Sequence, residues 1–399
     1  MSLPSYSKAI EHWSLDRDMV FLNHGSFGAT PTKILAKQQA IIQQMEREPV
    51  RFMVRELEPM WWEAKAKVAA FVGAESSNLV FVKNATMGVN TIIHSLSFDE
   101  GDEILTSNHI YGACYNTLNQ YAIQKKFSIK MATIPFPFQN DEEVLEALIQ
   151  GITPRTKLLL IDHITSATGS IFPIENIVSA FESRGIEVLV DGAHAPGMME
   201  LELEKLGASY FVGNCHKWIC SPKGSAILYV RKDKQPKINP LQFSHVHDKK
   251  RGTADDWSAQ FFWPGTDDIS AYLCVPDAIQ QMQEIGGSWE DIRKHNKNLV
   301  VQARNLIAET LGTELPVPEK NIGFISNILI GPGQLPDKFF NSISTLQETL
   351  FQKYKIEVPI FVFDRQNPRL WVRVSAQLYN SFEQYEYLAT ALKKELFHE

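Results

Sequence analysis

The sequence has few cysteines, and their spacing fits neither a metal site nor a disulfide framework. Its 399 residues include four, Cys114, Cys215, Cys220 and Cys274, and no two of them form a C-x-x-C pair. Zinc sites usually need such closely spaced ligands, and the two histidines of His245-Val246-His247 have no third ligand nearby. We therefore expect reduced thiols, no metal, and a polar surface loop that continues through Asp248–Asp256.

Long apolar runs and an excess of positive charge are also missing. No segment reaches the ~18 consecutive apolar residues of a membrane span, and the first residues lack the basic start and apolar run of a signal peptide. The net charge of −7 argues against nucleic acid or an anionic membrane as the main partner. The composition is typical of a cytoplasmic protein, and it leaves room for a local basic pocket that binds a small anion.

Short apolar runs alternate with helical stretches between residues 79 and 230. Runs such as KLLLI and EVLV are typical of strands that are buried on both faces of a sheet. The predicted strands are Leu79–Val82, Glu103–Thr106, Ile129–Ile134, Lys157–Ile161, Glu187–Val190, Tyr210–Val212 and Ser225–Val230. The last follows its predecessor after only about ten residues, too few for a parallel crossover, so we expect it to be antiparallel.

The pattern changes after about residue 275. Helices are predicted at Trp289–Leu311 and about Phe382–Leu396, and strands near Asn327–Ile330, Lys355–Val362 and Leu370–Val374. A chain of this length is expected to form two domains. We predict an α/β domain over residues 21–275, with three layers and a mostly parallel seven-stranded sheet. A smaller α+β domain would contain residues 1–20 and 276–399.

Two polar residues follow neighbouring buried strands at the same edge of the predicted sheet. Asp191 ends the strand in VDGAHAPG, and Lys217 lies in NCHKW just past the next strand. Ligands of open α/β sheets bind at this edge. Each residue alone has an ordinary interpretation, because Asp191 could cap a turn and Lys217 could extend to solvent. Together they supply the amine and the acid that a pyridoxal 5′-phosphate (PLP) site needs for the aldehyde and the pyridine nitrogen.

The segment Lys83–Asn90, KNATMGVN, lies between a predicted strand and a predicted helix, Met87–Leu96. Its small and hydroxyl residues place backbone N–H groups at a helix N-terminus, where donors and the helix dipole favour phosphate. An ordinary N-cap is the alternative interpretation. The order along the chain, which is phosphate loop, acid and then lysine, favours a PLP site.

Several motifs follow one another along most of the chain. They are LNHGSFG from Leu22, then NATMGVN, SNHIYG, DHITSATG, VDGAHAPG, GNCHKW, WPGTDD and RVSAQLYN. In this order they resemble the fold-type I PLP enzymes of the class V aminotransferase family, and most of all its isopenicillin N epimerase-like branch. The resemblance implies a PLP-transferase fold and a homodimer with shared active sites.

The resemblance also implies roles for the matching residues. Lys217 would hold PLP as a Schiff base and move protons, Asp191 would pair with the pyridine nitrogen, and His109 would stack on the ring, with Tyr111 as the alternative. The other cofactor contacts would be Ala85, Thr86, Asn214 and His216 at the phosphate, His194 and Ser166 at the ring hydroxyl, and Gly265-Thr266 at the phosphate of the partner subunit.

Arg373 lies among apolar neighbours in the strand-like segment WVRVS. A buried arginine needs an anion, and its planar fork matches a carboxylate in bidentate fashion. A structural salt bridge or an exposed edge-strand position is the alternative, whereas the resemblance implies that Arg373 holds the substrate α-carboxylate. Further candidates on the substrate side are Asn23, His24 and Arg55, although a solvated charged face explains Arg55 equally well.

The predicted function is PLP-dependent chemistry at the α-carbon of an amino acid. Loss of the α-proton gives a carbanion, and its reprotonation leads to epimerisation, racemisation or transamination. Related cysteine desulfurases use a cysteine shortly before the C-terminal arginine, and Glu357–Leu370 contains none. A persulfide-forming desulfurase is therefore not expected, but a C–S β-lyase acting on a cysteine derivative stays open. A non-catalytic PLP-fold binding or sensing protein would be expected to lack Lys217 or Arg373, and both are present.

Overall fold

The computed structural model describes residues 2–244, 256–330, 345–363 and 368–397. The strands are β1 (Val20–Phe21), β2 (Leu79–Val82), β3 (Glu103–Ser107), β4 (Ser128–Ala132), β5 (Thr156–Asp162), β6 (Glu187–Asp191), β7 (Tyr210–Asn214), β8 (Ala226–Val230), β9 (Ile325–Leu329), β10 (Ile356–Glu357), β11 (Ile360–Phe363) and β12 (Arg369–Ser375). The helices are α1 (His24–Phe27), α2 (Thr32–Arg47), α3 (Pro49–Arg51), α4 (Leu57–Phe71), α5 (Ala85–Ser95), α6 (Gly112–Lys125), α7 (Asp141–Gln150), α8 (Ile174–Glu182), α9 (Leu203–Leu206), α10 (Asp256–Phe262), α11 (Ser270–Leu273), α12 (Val275–Gly286), α13 (Trp289–Leu311), α14 (Thr345–Tyr354) and α15 (Phe382–Phe397).

Seven strands form one sheet in the order β2-β8-β7-β6-β5-β3-β4. Strand β8 is antiparallel to both of its neighbours, whereas the pairs from β7 to β4 are parallel. This confirms the predicted antiparallel strand. Its short connection from Asn214 to Ala226 contains no crossover helix, and a reversal of chain direction is what so short a connection allows.

The sheet separates two apolar layers because successive side chains of a strand point to opposite faces. In β2, Val80 and Val82 belong to the core cluster that contains Ile92 of α5. Leu79 and Phe81 belong to the cluster on the other side. Strands covered on both faces explain the continuous apolar runs of the sequence. The three-layer α/β architecture is confirmed.

A second sheet, in the order β11-β12-β9, is antiparallel. The predicted strand Lys355–Val362 is instead two strands, because β10 ends before Val358-Pro359 and β11 begins after them. Proline has no N–H for a ladder and interrupts a strand at this point. Strand β10 pairs with β1 near the N-terminus, not with the second sheet. The domain division at residues 20 and 275 stays a prediction.

Two sequence predictions lie outside the described residues. They are His245-Val246-His247 and the loop Asp248–Asp256, apart from Asp256, where α10 begins. Among the helices of the described ranges, none combines the length and the apolar character needed to cross a membrane.

Candidate active site

Three neighbouring strands end at one edge of the seven-stranded sheet, β5 at Asp162, β6 at Asp191 and β7 at Asn214. They border a cavity of about 440 Å³. Its walls come from these strand ends, the N-terminus of α5, the segments after β3 and β7, and β12. The lining residues are Gly25, Ser26, Phe27, Lys83, Asn84, Ala85, Thr86, Tyr111, Asp162, Ile164, Ser166, Asp191, Ala193, His194, Asn214, His216, Lys217, Lys223, Gly224 and Arg373.

The Lys217 amine is held by a buried histidine. Its Nζ lies 2.9 Å from Nε2 of His194, and Trp218 Nε1 donates to Nδ1 of the same ring at 3.4 Å. Burial, together with the positive charges of Lys217 and Arg373, lowers the pKa of His194, so the ring is neutral. Because Nδ1 accepts, the ring proton lies on Nε2 and is donated to the lone pair of Lys217.

This arrangement favours the neutral amine of Lys217. The side chain is only 8% exposed. Burial and the nearby charge of Arg373 lower the pKa of Lys217 to about 7, and the acidic groups Asp191 and Asp162 oppose the shift only in part. A neutral amine is the nucleophilic and basic form of lysine.

Asp191 faces the same cavity and accepts two hydrogen bonds. The backbone N–H of Ala193 donates to Oδ1 at 3.0 Å, and the thiol of Cys114 donates to Oδ2 at 3.2 Å. Burial raises the pKa of Asp191 above its ordinary value, and these two donors and the charge of Lys217 offset this rise only in part. Donors to a carboxylate favour its ionised form. The amine and the acid predicted from sequence therefore line one cavity.

The N-terminus of α5 forms another wall of the cavity. Ala85 and Thr86 line it, and the backbone N–H of Ala85 donates to Oδ1 of Asn214 at 2.9 Å. Helix α5 lies close against the sheet because Gly88 has no side chain. A Cβ there would lie 2.5 Å from Cγ1 of Val212. Close packing at Gly88 thus brings a helix N-terminus, a favourable place for an anion, to the strand ends.

His216 lies beside this helix terminus. Its Nδ1 donates to the carbonyl of Ser225 at 3.2 Å, and burial lowers its pKa to about 4, so the free ring is neutral. Only the doubly protonated ring can donate from Nε2 to a phosphate, and a phosphate dianion would stabilise that form. Gly28 packs against the same backbone with φ of 69°, where a Cβ would lie 2.0 Å from the carbonyl oxygen of His216.

Arg373 reaches the cavity from β12. It is 9% exposed. Its Nη2 donates to Oγ of Ser26 at 2.8 Å, and its Nη1 donates to the carbonyl of Ser166. Among the ion pairs of the described residues, none joins Arg373 to a carboxylate. Burial lowers its pKa only to about 10, so the group is charged at neutral pH. A buried cation without a counter-charge calls for an anionic ligand.

The predicted ring-stacking residue His109 does not line the cavity, whereas its alternative Tyr111 does. His109 is 1% exposed, with Nδ1 within 2.8 Å of Oγ1 of Thr168. Its ring packs edge-on against Phe136 and Phe172. The aromatic neighbours and the threonine thus hold His109 behind the cavity wall. Tyr111 follows two residues later and is 45% exposed, so its ring can meet a ligand.

The structure does not bring Asn23, His24 and Arg55 to the cavity lining. His24 is fully buried, with Nδ1 at 2.8 Å from the Tyr379 hydroxyl and Nε2 at 2.9 Å from the backbone carbonyl of Lys217. Asn23 accepts from Oγ of Ser26 at 2.6 Å and so lies one hydrogen bond behind the wall. Arg55 is exposed. Internal hydrogen bonds, which sequence patterns do not reveal, direct the first two side chains.

The remaining predicted cofactor contacts divide into two groups. Ser166 and His194 line the cavity, and their contact with the ring hydroxyl stays a prediction. Thr266 is exposed and lies outside the lining. Its neighbour Asp267 pairs with Nζ of Lys83 at 2.6 Å, and Lys83 belongs to the lining. Gly265-Thr266 therefore lies on the surface next to the cavity wall that the N-terminus of α5 forms.

A family comparison identifies this arrangement. The model of the family "Aminotransferase class-V" matches residues 26–331, which is more than half of the chain. The chain belongs to the class V aminotransferase family. It is a PLP-dependent enzyme of that family, which confirms the fold, the enzyme class and the cofactor expected from the sequence.

Relatives of this class V enzyme carry different activities in their names. It is 28% identical to a probable L-cysteine desulfhydrase, chloroplastic, of Arabidopsis thaliana, over 94% of this chain and 83% of that protein. It is 27% identical to an isopenicillin N epimerase of Streptomyces clavuligerus, over 98% of both. A solved structure of a C-DES mutant with glycine covalently linked to its PLP cofactor has a TM-score of 0.79 at 17% identity. That likeness covers 96% of this chain and 98% of the other.

The residues of this class V enzyme fit PLP. The cavity combines a buried amine with a lowered pKa, a carboxylate supported by two donors, and a helix N-terminus beside His216. These groups match the aldehyde, the pyridine nitrogen and the phosphate, respectively. Lys217 and Asp191 reach the same space from neighbouring strand ends, which is the arrangement that the cofactor requires.

Sequence reasoning gave no role to several residues of this site. Asp162, Ser26 and Lys223 line the cavity, and Cys114 contacts Asp191 from α6. A signal for Asp162 was present, because it ends the buried strand KLLLID as Asp191 ends EVLVD. No pattern in the sequence marks Cys114, since its contact depends on how α6 packs.

Proposed function

We propose that this enzyme removes the α-proton of a free amino acid whose α-carboxylate binds Arg373, with Lys217 as the base. One observation carries the proposal: a buried guanidinium with no carboxylate partner among the described residues shares a cavity with a lysine whose pKa is lowered to about 7. Bound PLP supplies the aldehyde and an electron-accepting ring. The chain's own residues must place the amino acid and move its proton.

Each cavity wall has a proposed task. Nζ of Lys217 takes the α-proton, because its neutral form is a base close to working pH. The carboxylate of Asp191 keeps a proton on the ring nitrogen, and its hydrogen bonds to Ala193 and Cys114 hold it ionised. The guanidinium of Arg373 orients the substrate carboxylate through two parallel N–H donors. Tyr111, not His109, is proposed to cover the ring.

We propose that the proton returns to the α-carbon, as in an epimerase or racemase, or to the cofactor, as in an aminotransferase. Support comes from the isopenicillin N epimerase relative, whose similarity spans nearly the whole of both chains. The second candidate is a C–S β-lyase on a cysteine derivative, which the similarity to the probable L-cysteine desulfhydrase favours. All three outcomes begin with the same proton transfer to Lys217.

The deciding experiment is incubation of the holoenzyme with a panel of amino acids in deuterated water. We expect deuterium at the α-carbon of the true substrate. Inversion of configuration at the α-carbon identifies an epimerase or racemase. Formation of a keto acid identifies an aminotransferase, and release of sulfide with pyruvate identifies a β-lyase. A holoenzyme that exchanges no α-proton on any member of a broad panel would contradict the proposal.

Arg373→Ala is expected to weaken substrate binding without loss of PLP. Truncating one partner of a buried charge pair costs about 2 kcal/mol or more, so KM should rise by at least ~30-fold. Arg369→Ala, on the same strand but exposed, is the matched control and should leave KM unchanged. The measurements are steady-state kinetics and PLP content. Loss of cofactor before loss of substrate affinity would show that Arg373 has another role.

The pH dependence of cofactor attachment tests the state of Lys217. Its pKa is lowered to about 7, so the reactive neutral amine is formed as pH rises through that value. We expect the rate at which apoenzyme takes up PLP, followed by absorbance, to reach half of its maximum near pH 7. A rate that keeps rising toward the ordinary lysine pKa of 10.5 would refute a perturbed amine.

We also propose a homodimer in which Thr266 reaches the partner's phosphate end. The proposal is supported by the exposed position of Thr266, which lets its side chain contact a second subunit. The mass of the holoenzyme in solution, measured by light scattering, decides between monomer and dimer.

A further inference from the structure

Two carboxyl groups lie side by side at the cavity, and the proposed mechanism uses only one of them. Asp162 and Asp191 are register partners at the ends of the parallel strands β5 and β6. Paired residues on adjacent strands, about 4.8 Å apart, extend to the same face of a sheet. Both residues are 3% exposed, and both line the cavity.

The two carboxyl groups have different partners. Asp191 accepts from the thiol of Cys114 and the backbone N–H of Ala193. Asp162 also accepts from the backbone N–H of Tyr111, but its Oδ2 is buried and has no hydrogen-bond partner within the described part of the chain. Two negative charges this close in a buried site cannot both persist, so one proton is retained. The donors around Asp191 support its charge, which places the retained proton on Asp162.

We propose that Asp162 remains a neutral carboxylic acid beside ionised Asp191 and offers its O–H to the ligand in the cavity. The inference rests on the proposed function only in that Asp191 serves the cofactor ring. A neutral Asp162 leaves a single negative charge at the ring nitrogen. A second negative charge would instead repel the electrons that the ring must accept during proton removal.

The surrounding groups agree with this assignment. Burial and the neighbouring charge of Asp191 raise the pKa of Asp162 well above its ordinary value, and the Tyr111 backbone and Lys217 offset this only in part. Cys114 faces the pair from α6, and burial raises the pKa of its thiol far above the ordinary value, so it remains a donor. The charge of Lys217 lowers the pKa of both acids, and burial lowers the pKa of Lys217 itself.

Matched substitutions on the two strands test the proposal. Asparagine has the shape of a neutral aspartic acid and also donates a hydrogen bond. We therefore expect Asp162→Asn to lose less turnover than Asp162→Ala, which retains neither the shape nor the donor. The same change at its register partner, Asp191→Asn, removes the needed charge and should cripple turnover. Asp162→Asn as damaging as Asp191→Asn would overturn the proposal, because Asp162 would then act as an anion.

Infrared spectroscopy of the apoenzyme gives a readout that does not depend on activity. The difference between wild type and Asp162→Asn should contain a protonated carboxyl band at neutral pH that disappears when the pH is raised. In Asp191→Asn the repelling charge is gone, so the band of Asp162 should disappear at a lower pH. Absence of the band from the wild-type difference spectrum would overturn the proposal. So would a band that disappears at the same pH in Asp191→Asn as in wild type.

A third variant leaves both acids in place. Cys114→Ala removes a donor from Asp191 and weakens its ionised form, so the shared proton should be lost at a higher pH than in wild type. If Cys114→Ala lost the shared proton at the same pH as wild type, the assigned hydrogen bonding of Cys114, Asp191 and Asp162 would be contradicted, even if Asp162→Asn failed to fold. Since these spectra need no amino acid, an inactive substrate panel would count against the proposed function and not against this inference.

Discussion

Lys217→Ala is expected to abolish turnover of every amino acid and the covalent attachment of PLP. The variant loses both the amine that bonds to the cofactor and the base proposed to take the α-proton. A general base alone contributes about 10²–10⁴-fold, so the combined loss should exceed ~10⁴-fold. The phosphate end of the cavity is untouched, and reversible PLP binding should therefore remain measurable by equilibrium dialysis.

Borohydride reduction of the yellow wild-type holoenzyme should fix the cofactor to Lys217, as peptide mass analysis can establish. Lys205→Ala is a suitable control because this lysine is exposed and lies outside the cavity lining. It should retain colour, attachment and rate. Labelling of Lys83 or Lys223, which also line the cavity, would show that the wrong lysine has been assigned.

Asp191→Asn should keep the fold and the cofactor but lower the rate of α-proton removal by about 10²–10⁴-fold. The amide has nearly the same shape as the carboxyl group, but its single oxygen can accept from only one of the two donors, the backbone N–H of Ala193 or the thiol of Cys114. It cannot carry the negative charge that keeps a proton on the ring nitrogen, so the carbanion loses its main stabilisation. The measurement is deuterium exchange at the α-carbon, because it isolates this step from later ones.

The spectrum of the bound cofactor gives a second readout for Asp191→Asn. Its pH dependence should change, since the ring nitrogen is no longer held protonated at neutral pH. Exchange rates and a spectrum that both match wild type would exclude ring protonation by Asp191. Unchanged rates combined with an altered spectrum would mean that ring protonation does not limit catalysis.

Much of the fold could be predicted because its signals are local. Continuous apolar runs located all seven strands of the main sheet, and the short connection before Ala226 indicated the antiparallel one. Helix α13 covers the predicted range Trp289–Leu311. The strand predicted at Lys355–Val362 was wrong in one respect, since Pro359 divides it and its halves have different partners. Apolar content indicates a strand, but the pairing partner depends on distant segments.

The candidate site could be predicted less completely. Lys217 and Asp191 follow buried strands, and strand ends converge in any sheet of this type, so their proximity followed from topology. The position of His109 outside the cavity lining did not, because it depends on the packing of its ring against Phe136 and Phe172. His24 likewise resembled a substrate contact, yet its hydrogen bonds turn it toward Tyr379.

Sequence alone determined the α/β class, the strand positions and the pair of groups that calls for PLP, because strand periodicity and residue chemistry are properties of short segments. Tertiary structure decided which side chains face the cavity, that Arg373 is buried without an acidic partner among the described residues, and that Asp162 adjoins Asp191. These properties arise from contacts between segments far apart in the chain. Burial and neighbouring charge, not residue identity, set the protonation of Lys217, His194 and the two acids.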